Sequence, residues 1–130
     1  MTESALSEDD VFAQWANWMK GFRKDLADDD KYPRLMESSR ASLQKAAAQV
    51  GNAFETILAI PHVEREQSDY VALLSNVSLL VGALGAAKEV ANNLILAPLR
   101  KNLEQWIKDM EKLHDINLPR SGPRGRDINR

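Results

Sequence analysis

The sequence predicts an all-α fold, an elongated antiparallel helical hairpin or three-helix bundle with long, kinked helices. Two observations favour it. Apolar residues recur at steps of three and four along most of the chain, which is the spacing of one face of a helix. Hydrophobic residues make up 44% and charged residues 28% of the chain, a composition typical of a folded globular domain.

The first helix is predicted over residues 7–27. Ser7 can cap the free amides at its N-terminus, and the acids Glu8, Asp9 and Asp10 suit the positive end of the helix dipole. Its large apolar residues fall inside an arc of about 120° on a helical wheel. They are Val11, Phe12, Trp15, Trp18, Met19, Phe22 and Leu26. The pattern indicates a strongly amphipathic helix.

The second helix is predicted over residues 33–60, because Pro33 suits a first helical position and Pro61 ends the segment. From Met36 onwards its apolar residues follow a heptad. They are Leu43, Ala47, Val50, Phe54 and Ile57. Such a seam is typical of helices that pack nearly parallel or antiparallel.

The third helix is predicted as one rod over residues 68–117, about 75 Å long, capped by Ser68 and kinked at Pro98. Its apolar positions run from Tyr70 to Leu94 and resume after the proline. A second face carries small side chains, which allow another backbone to come close. These are Ala72, Ser75, Gly82 and Ala86, and Gly85 lies nearby. Two packing faces identify this segment as the central helix.

The expected organisation is a single helical domain over residues 7–118, between a disordered N-terminus, 1–6, and a basic disordered tail, 119–130. Residues 70–87 form the longest uncharged run. At eighteen residues it touches the lower limit for a membrane-spanning helix, but a buried central helix is the favoured interpretation.

Composition restricts the function. The formal net charge is −2, so no global charge favours nucleic acid or an anionic membrane. The chain has no cysteine, which excludes disulfides and thiol chemistry. The N-terminus is acidic and lacks the profile of a secretory signal. We expect a cytoplasmic protein, or one at the periphery of a membrane, with no cofactor, no nucleic-acid partner and no small-molecule substrate.

Candidate metal and catalytic residues are few. Glu111 and His114 have the Glu-x-x-His spacing of a di-iron bundle, but a second copy is missing, so a metal protein is the least favoured alternative. Two further groups are better explained as solvated turns. They are His62, Glu64 and Glu66, and Asp28, Asp29 and Asp30. No nucleophile and histidine stand in a known spacing. The sequence predicts no catalytic or metal site and no enzyme.

The tryptophan-rich first helix is the main candidate for contact with a partner or a membrane. The residues concerned are Phe12, Trp15, Trp18 and Phe22. The alternative is that this face docks on the third helix near Trp106 and Met110. An adaptor that binds a partner through this helix without touching a membrane is a second functional hypothesis.

The leading hypothesis is a non-enzymatic helical scaffold or interaction protein that forms a homodimer through the heptad seams. The seams are too long for two arms to cover completely. The residues expected in the self-association seam are Leu43, Val50, Phe54, Ile57, Leu73, Leu80, Leu84, Leu94, Leu103, Trp106 and Met110.

Two segments carry a family resemblance, together about a third of the chain. Residues 91–109, ANNLILAPLRKNLEQWIKD, resemble the kink of the second long helix in BAR/arfaptin-homology domains. Residues 32–40, YPRLMESSR, resemble the start of the first long helix of that family. The resemblance implies a crescent-shaped dimer that scaffolds or senses curved membrane.

Overall fold

Four α-helices follow one another along the chain, and short turns connect them. In the computed structural model, which describes residues 7–28, 30–116 and 118, they are α1 (Glu8–Ala27), α2 (Glu37–Leu58), α3 (Gln67–Ala86) and α4 (Leu96–Leu113). Two 3-10 helices occupy connections, His62–Glu64 before α3 and Lys88–Asn92 after it. The described residues contain no strand, so the all-α prediction is confirmed.

The helices alternate in direction to form a bundle. Each packs against the next in sequence. Arg40, at the start of α2, donates to the Leu26 carbonyl at the end of α1. Ser39 meets Glu89 just beyond α3, and Gln67 at the start of α3 donates to the His114 carbonyl at the end of α4. The start of α2 therefore lies beside the end of α3, and the start of α3 beside the end of α4, as in antiparallel packing.

The core runs along the bundle axis and takes side chains from all four helices. Each large apolar side chain removed from water contributes about 1.5–3 kcal/mol. Among the most completely buried are Phe12, Met19, Leu43, Phe54, Leu74, Leu80, Leu84 and Leu96. The heptad positions of the sequence thus supply the interior of one chain.

The predicted rod over residues 68–117 is wrong. Helix α3 ends at Ala86, and α4 starts at Leu96 after a turn. Asn93 Oδ1 accepts hydrogen bonds from the amides of Ile95, at 2.9 Å, and Leu96, at 2.8 Å, and so fixes the turn that leads into the new helix. Pro98 lies in the first turn of α4, where its missing N–H costs nothing. The elongated, kinked geometry gives way to two antiparallel helices.

Two other helix starts differ from the prediction. Helix α2 begins at Glu37, four residues after Pro33, because Tyr32 and Leu35 are buried in the turn before it. Helix α3 is capped by Glu66 and not by Ser68. The Glu66 carboxylate accepts a hydrogen bond from the Asp69 backbone amide, and the Asp69 carboxylate accepts one from the Glu66 backbone amide. This reciprocal pair is a capping box.

Helix α3 is also the one helix among the described residues that is long and apolar enough to cross a membrane. It has 20 residues with a mean hydropathy of 1.5, and a third of that window is buried. Core helices meet the same criteria, and six of its side chains are buried in the bundle. They are Tyr70, Leu73, Leu74, Val77, Leu80 and Leu84.

Some sequence predictions fall outside the described residues. These concern the N-terminal 1–6 and the basic tail 119–130, together with Asp29 and Asn117.

Candidate partner-binding groove

The seam between α1 and α4 closes the bundle through large rings. The backbones of these two helices stay farther apart than those of the other neighbours. Trp106 of α4 fills the gap, with its ring centroid 6.2 Å from Phe12, 6.1 Å from Trp15 and 5.8 Å from Phe54. The expected docking of the first helix near Trp106 is therefore found.

Between the middle of α1 and the start of α4, the same seam opens into an apolar groove of about 430 Å³. Its walls are Trp15 and Trp18 from α1 and Ile95, Pro98 and Leu99 from the start of α4, with Gln14 and Asn102 as polar edges. We call this the α1/α4 groove. Trp18 is 41% exposed and Ile95 54% exposed. Leu94, next to Ile95, is 92% exposed. Large apolar side chains left in water beside a groove are typical of an interaction surface.

The structure divides the four residues predicted to contact a partner. Phe12 and Phe22 are buried in the core, so they support the groove from below and offer no surface. Trp15 is half-buried and lines the groove. Trp18 stacks on Phe22 with centroids 4.9 Å apart and keeps its outer face in solvent. Among these four, only Trp18 is in position to anchor a partner.

Sequence reasoning missed the α4 side of the groove. The sequence pattern assigns Leu94 to the apolar seam of a rod and Pro98 to its kink, and it gives Ile95 no role. They line or flank a groove because the chain turns at Asn93 and brings the start of α4 beside Trp18. The signal was present in Asn93, because an asparagine side chain favours a turn by bonding to the backbone two or three residues on.

The residues predicted for self-association lie mostly inside one chain. Leu94 is exposed and Trp106 is half-buried, while the others are buried. The buried ones are Leu43, Val50, Phe54, Ile57, Leu73, Leu80, Leu84, Leu103 and Met110. Because their own chain covers these side chains, a second copy would have to use a different surface.

A polar cluster lies at the opposite end of the α1/α4 seam. It consists of Glu8, Asp9, His62, Arg65, Tyr70 and His114. The Glu8 carboxylate is at its centre, because Tyr70 Oη donates to it at 2.6 Å and Arg65 donates at 3.1 Å. His114 Nε2 lies 2.9 Å from the second oxygen of Glu8. The cluster joins both ends of the described chain to the α2–α3 connection.

Burial and charge shape the chemistry of this cluster. Burial would lower the pKa of Arg65, but hydrogen bonds to Asp9, Glu8 and Tyr70 and the Asp9 charge outweigh it and raise the pKa. Burial, followed by the hydrogen bond to Glu8 and the Glu8 charge, raises the pKa of Tyr70 to about 12. His114 stacks on Tyr70 with ring centroids 3.7 Å apart. Arg65 thus stays charged and Tyr70 neutral across ordinary pH, which suits a structural clasp.

The candidate metal ligands are used in packing. Glu111 is buried and accepts a hydrogen bond from the Leu118 amide at 3.1 Å. His114 turns instead towards Glu8, so the Glu-x-x-His pair does not converge on one point. His62 also approaches Glu8, at 3.5 Å, while Glu64 is exposed. Within the described part of the chain, no three His, Asp or Glu side chains are arranged to hold a metal ion.

Comparisons of the chain with protein-family models, with curated proteins and with solved structures found no match. The resemblance to BAR domains stays a prediction.

Proposed function

We propose that this protein is a non-enzymatic helical interaction module, and that it binds an apolar helical segment of a partner protein in the α1/α4 groove. The observation that carries the proposal is the exposure of Trp18 and Ile95 on facing walls of one groove. Tryptophan is enriched among the residues that dominate binding energy at interfaces.

The shape and chemistry of the groove support a helix as the occupant. Helices α1 and α4 form its two walls, and a third helix lying between them would bury apolar side chains spaced by three and four residues. Pro98 and Leu99 belong to the α4 wall, next to Ile95. The exposed Leu94 lies beside the mouth, where it can extend the contact.

The groove offers recognition and little for catalysis. Its polar lining consists of the amides of Gln14 and Asn102, and none of its lining residues is ionisable. General acid–base catalysis needs an ionisable group within reach of the reacting atoms. Amides can orient a bound helix through its backbone or side chains, which is the role expected of polar groups at the edge of an interface.

A selection experiment tests the proposal. A phage-displayed library of amphipathic helices is selected on the protein, and the affinities of the binders are measured for Trp18→Ala and Ile95→Ser. We expect each change to weaken binding about tenfold or more, because it removes an anchor at the centre of the contact. Val63→Ser is the matched control, since Val63 is 91% exposed and lies outside the groove.

The variants also decide between occupants. Circular dichroism establishes that they remain folded. If the binders keep the same affinity for Trp18→Ala and Ile95→Ser as for Val63→Ser, they bind outside the groove, which would contradict the proposal. Pelleting of the wild type with neutral or anionic vesicles, abolished by the same two variants, would assign the groove to a membrane surface instead of a helix.

A further inference from the structure

We propose that a groove between α1 and α2 binds an acidic peptide segment of a partner protein. The groove has a volume of about 990 Å³. We call it the basic groove, because four of the eight residues that line it are lysine or arginine. Its lining consists of Lys20, Gly21, Arg23, Lys24 and Ala27 from α1 and Gln44, Lys45 and Ala48 from α2. It shares no lining residue with the α1/α4 groove, so this proposal does not depend on the proposed function.

The charge of the basic groove opposes that of the whole chain. The chain carries 17 basic and 19 acidic residues, with a formal net charge of −2. No acidic residue of the described chain lines this groove, and all four of its cations are exposed. Charges of one sign gathered along a concave surface attract a partner of the opposite sign and speed its association. The groove therefore selects an anionic occupant.

Three of these four cations have no carboxylate partner within the described chain. Lys20 pairs with Glu55 at 3.7 Å, through side chains that are both more than half exposed. Arg23, Lys24 and Lys45 take part in no ion pair between described residues. Lys24 lies in the last turn of α1, where a cation also interacts favourably with the helix dipole. Lys45 lies well inside α2, so the dipole gives no reason for its charge.

A second charged groove of the same protein provides a comparison. We call it the mixed groove, and it lies at the end of α4. Its charged lining residues are Lys108, Asp109, Glu111, Lys112 and Asp115. Lysines and carboxylates are interleaved there, as is usual on a solvated, salt-bridged helix surface. The described lining of the basic groove lacks this interleaving, which favours a binding surface over a merely solvated one.

The geometry of the basic groove suits a peptide chain. Its walls are two antiparallel helices, and the small residues Gly21 and Ala48 leave room for a backbone to approach. Lys20 and Lys24 are one helical turn apart, so their side chains start about 6 Å from each other. In an extended peptide every second side chain recurs at about 7 Å, which is a comparable spacing. Lys45 offers a further contact from the α2 wall.

Acidic residues beyond the two ends of the basic groove favour a short peptide over a lipid surface or a nucleic acid. Glu55 lies beside Lys20 at one end, and the exposed Asp28 follows Ala27 at the other. A flat anionic membrane would meet these carboxylates together with the cations, whereas a short peptide can lie between them. From Lys20 to Ala27 the groove is about 10 Å long. That length neutralises too few phosphates for strong binding of nucleic acid.

Fluorescence anisotropy with a fluorescein-labelled peptide of alternating glutamate and serine tests the proposal. We expect binding at low salt that weakens at physiological ionic strength, because exposed charges are screened. Combining Lys24→Gln with Lys45→Gln should weaken binding about tenfold or more, since it removes one cation from each wall. Combining Lys108→Gln with Lys112→Gln is the matched control, because it removes the same charge from the mixed groove and should change the affinity little.

Further variants and ligands separate the possible outcomes, and circular dichroism establishes that each variant remains folded. Trp18→Ala should leave the affinity for the acidic peptide unchanged, which distinguishes this result from failure of the α1/α4 groove. Equal losses in the two double variants would reduce the attraction to net charge and overturn the proposal, as would a lack of peptide binding at low salt. Phosphatidylserine vesicles or single-stranded DNA that bind more tightly than the peptide, and lose binding in the Lys24→Gln, Lys45→Gln variant, would also overturn it.

Discussion

At the scale of single residues, Glu8 has the most consequential environment in the described chain. Its carboxylate contacts Arg65 and Tyr70 near the start of α3 and His114 at the end of α4, although those partners are separated from it by 57, 62 and 106 positions. A charged group with so many partners in a partly buried site fixes the relative position of the segments it joins. The polar cluster therefore connects α1 to the end of α4, at the end of the α1/α4 seam that lies opposite the groove.

Titration of Tyr70 tests this environment. Its pKa, raised to about 12 by burial and by Glu8, exceeds that of an exposed tyrosine, 10.0. Because the folded value is the higher one, the stability contribution is complete below 10 and is lost as the pH rises towards the folded value. The chain has two tyrosines, and burial, followed by the Asp25 charge, also raises the pKa of Tyr32. In a Tyr32→Phe background, we expect near-ultraviolet phenolate absorbance to appear with a midpoint near 12.

Removing the Glu8 charge provides the second arm of that experiment. Glu8→Gln should lower the pKa of Tyr70, since both the charge and the charge-assisted hydrogen bond to Glu8 favour the neutral phenol. Circular dichroism at each pH identifies any unfolding. A Tyr70 midpoint near that of free tyrosine in the Tyr32→Phe chain that keeps Glu8 and is still helical would contradict the geometry described for the cluster.

At the scale of the helices, Glu89 shows how a distant residue sets a helix start. Its carboxylate accepts hydrogen bonds from the Met36 amide, at 3.4 Å, and from Ser39 Oγ, at 3.0 Å, so it caps α2 from beyond the end of α3. A hydrogen bond from its own backbone, followed by those from Ser39 and Met36, lowers the pKa of Glu89 against the opposing effect of burial. An acid at a helix N-terminus also interacts favourably with the helix dipole.

We expect Glu89→Gln to lower the unfolding midpoint in urea at neutral pH. The folded pKa lies below the ordinary value of 4.5, so the wild-type advantage is present above that value and disappears as the pH falls through the folded pKa. Glu64→Gln, at an exposed position outside α2, is the matched control and should change little. A difference between wild type and Glu89→Gln that persists unchanged into acid would exclude the carboxylate as its cause.

The helices differ in how far local sequence determines them. Helix α1 could be predicted closely, because Ser7 caps it through the Asp10 amide at 3.1 Å, a contact three residues away. The start of α2 could not, because Glu89 stabilises it across 50 residues or more. The α3–α4 turn could not be predicted from the apolar spacing. Val90, in the 3-10 helix between α3 and α4, is buried in the core and continues that spacing through the turn. Periodicity therefore does not distinguish a continuous helix from two helices that share one core.

Only the α1 side of the candidate groove could be predicted from the sequence. The aromatic face of α1 is a property of one segment, so Trp15 and Trp18 could be identified from spacing alone. Which of those rings stays in solvent depends on Trp106 and on Ile95, which reach α1 only after the chain has reversed at Asn93. The polar cluster could not be predicted at all, since Glu8 and His114 are brought together only by the complete bundle.

At the scale of the whole molecule, the decisive feature is the reversal between α3 and α4. In a continuous rod, Ser68 and Leu113 would lie about 68 Å apart at 1.5 Å per residue. In the bundle, the neighbouring Gln67 side chain donates to the His114 carbonyl at 3.0 Å, so the two ends are adjacent. The reversal also creates the α1/α4 groove, because it brings the start of α4 to Trp18.

Spin labels on Ser68→Cys and Leu113→Cys measure this reversal directly, because both positions are exposed and the chain has no other cysteine. We expect the distance between the labels to be under about 20 Å in the bundle, against about 68 Å in a rod. Dilution with unlabelled protein removes any distances between labels on separate molecules. A long distance would indicate a continuous helix. It would also contradict the α4 wall of the groove and the contact between Glu8 and His114.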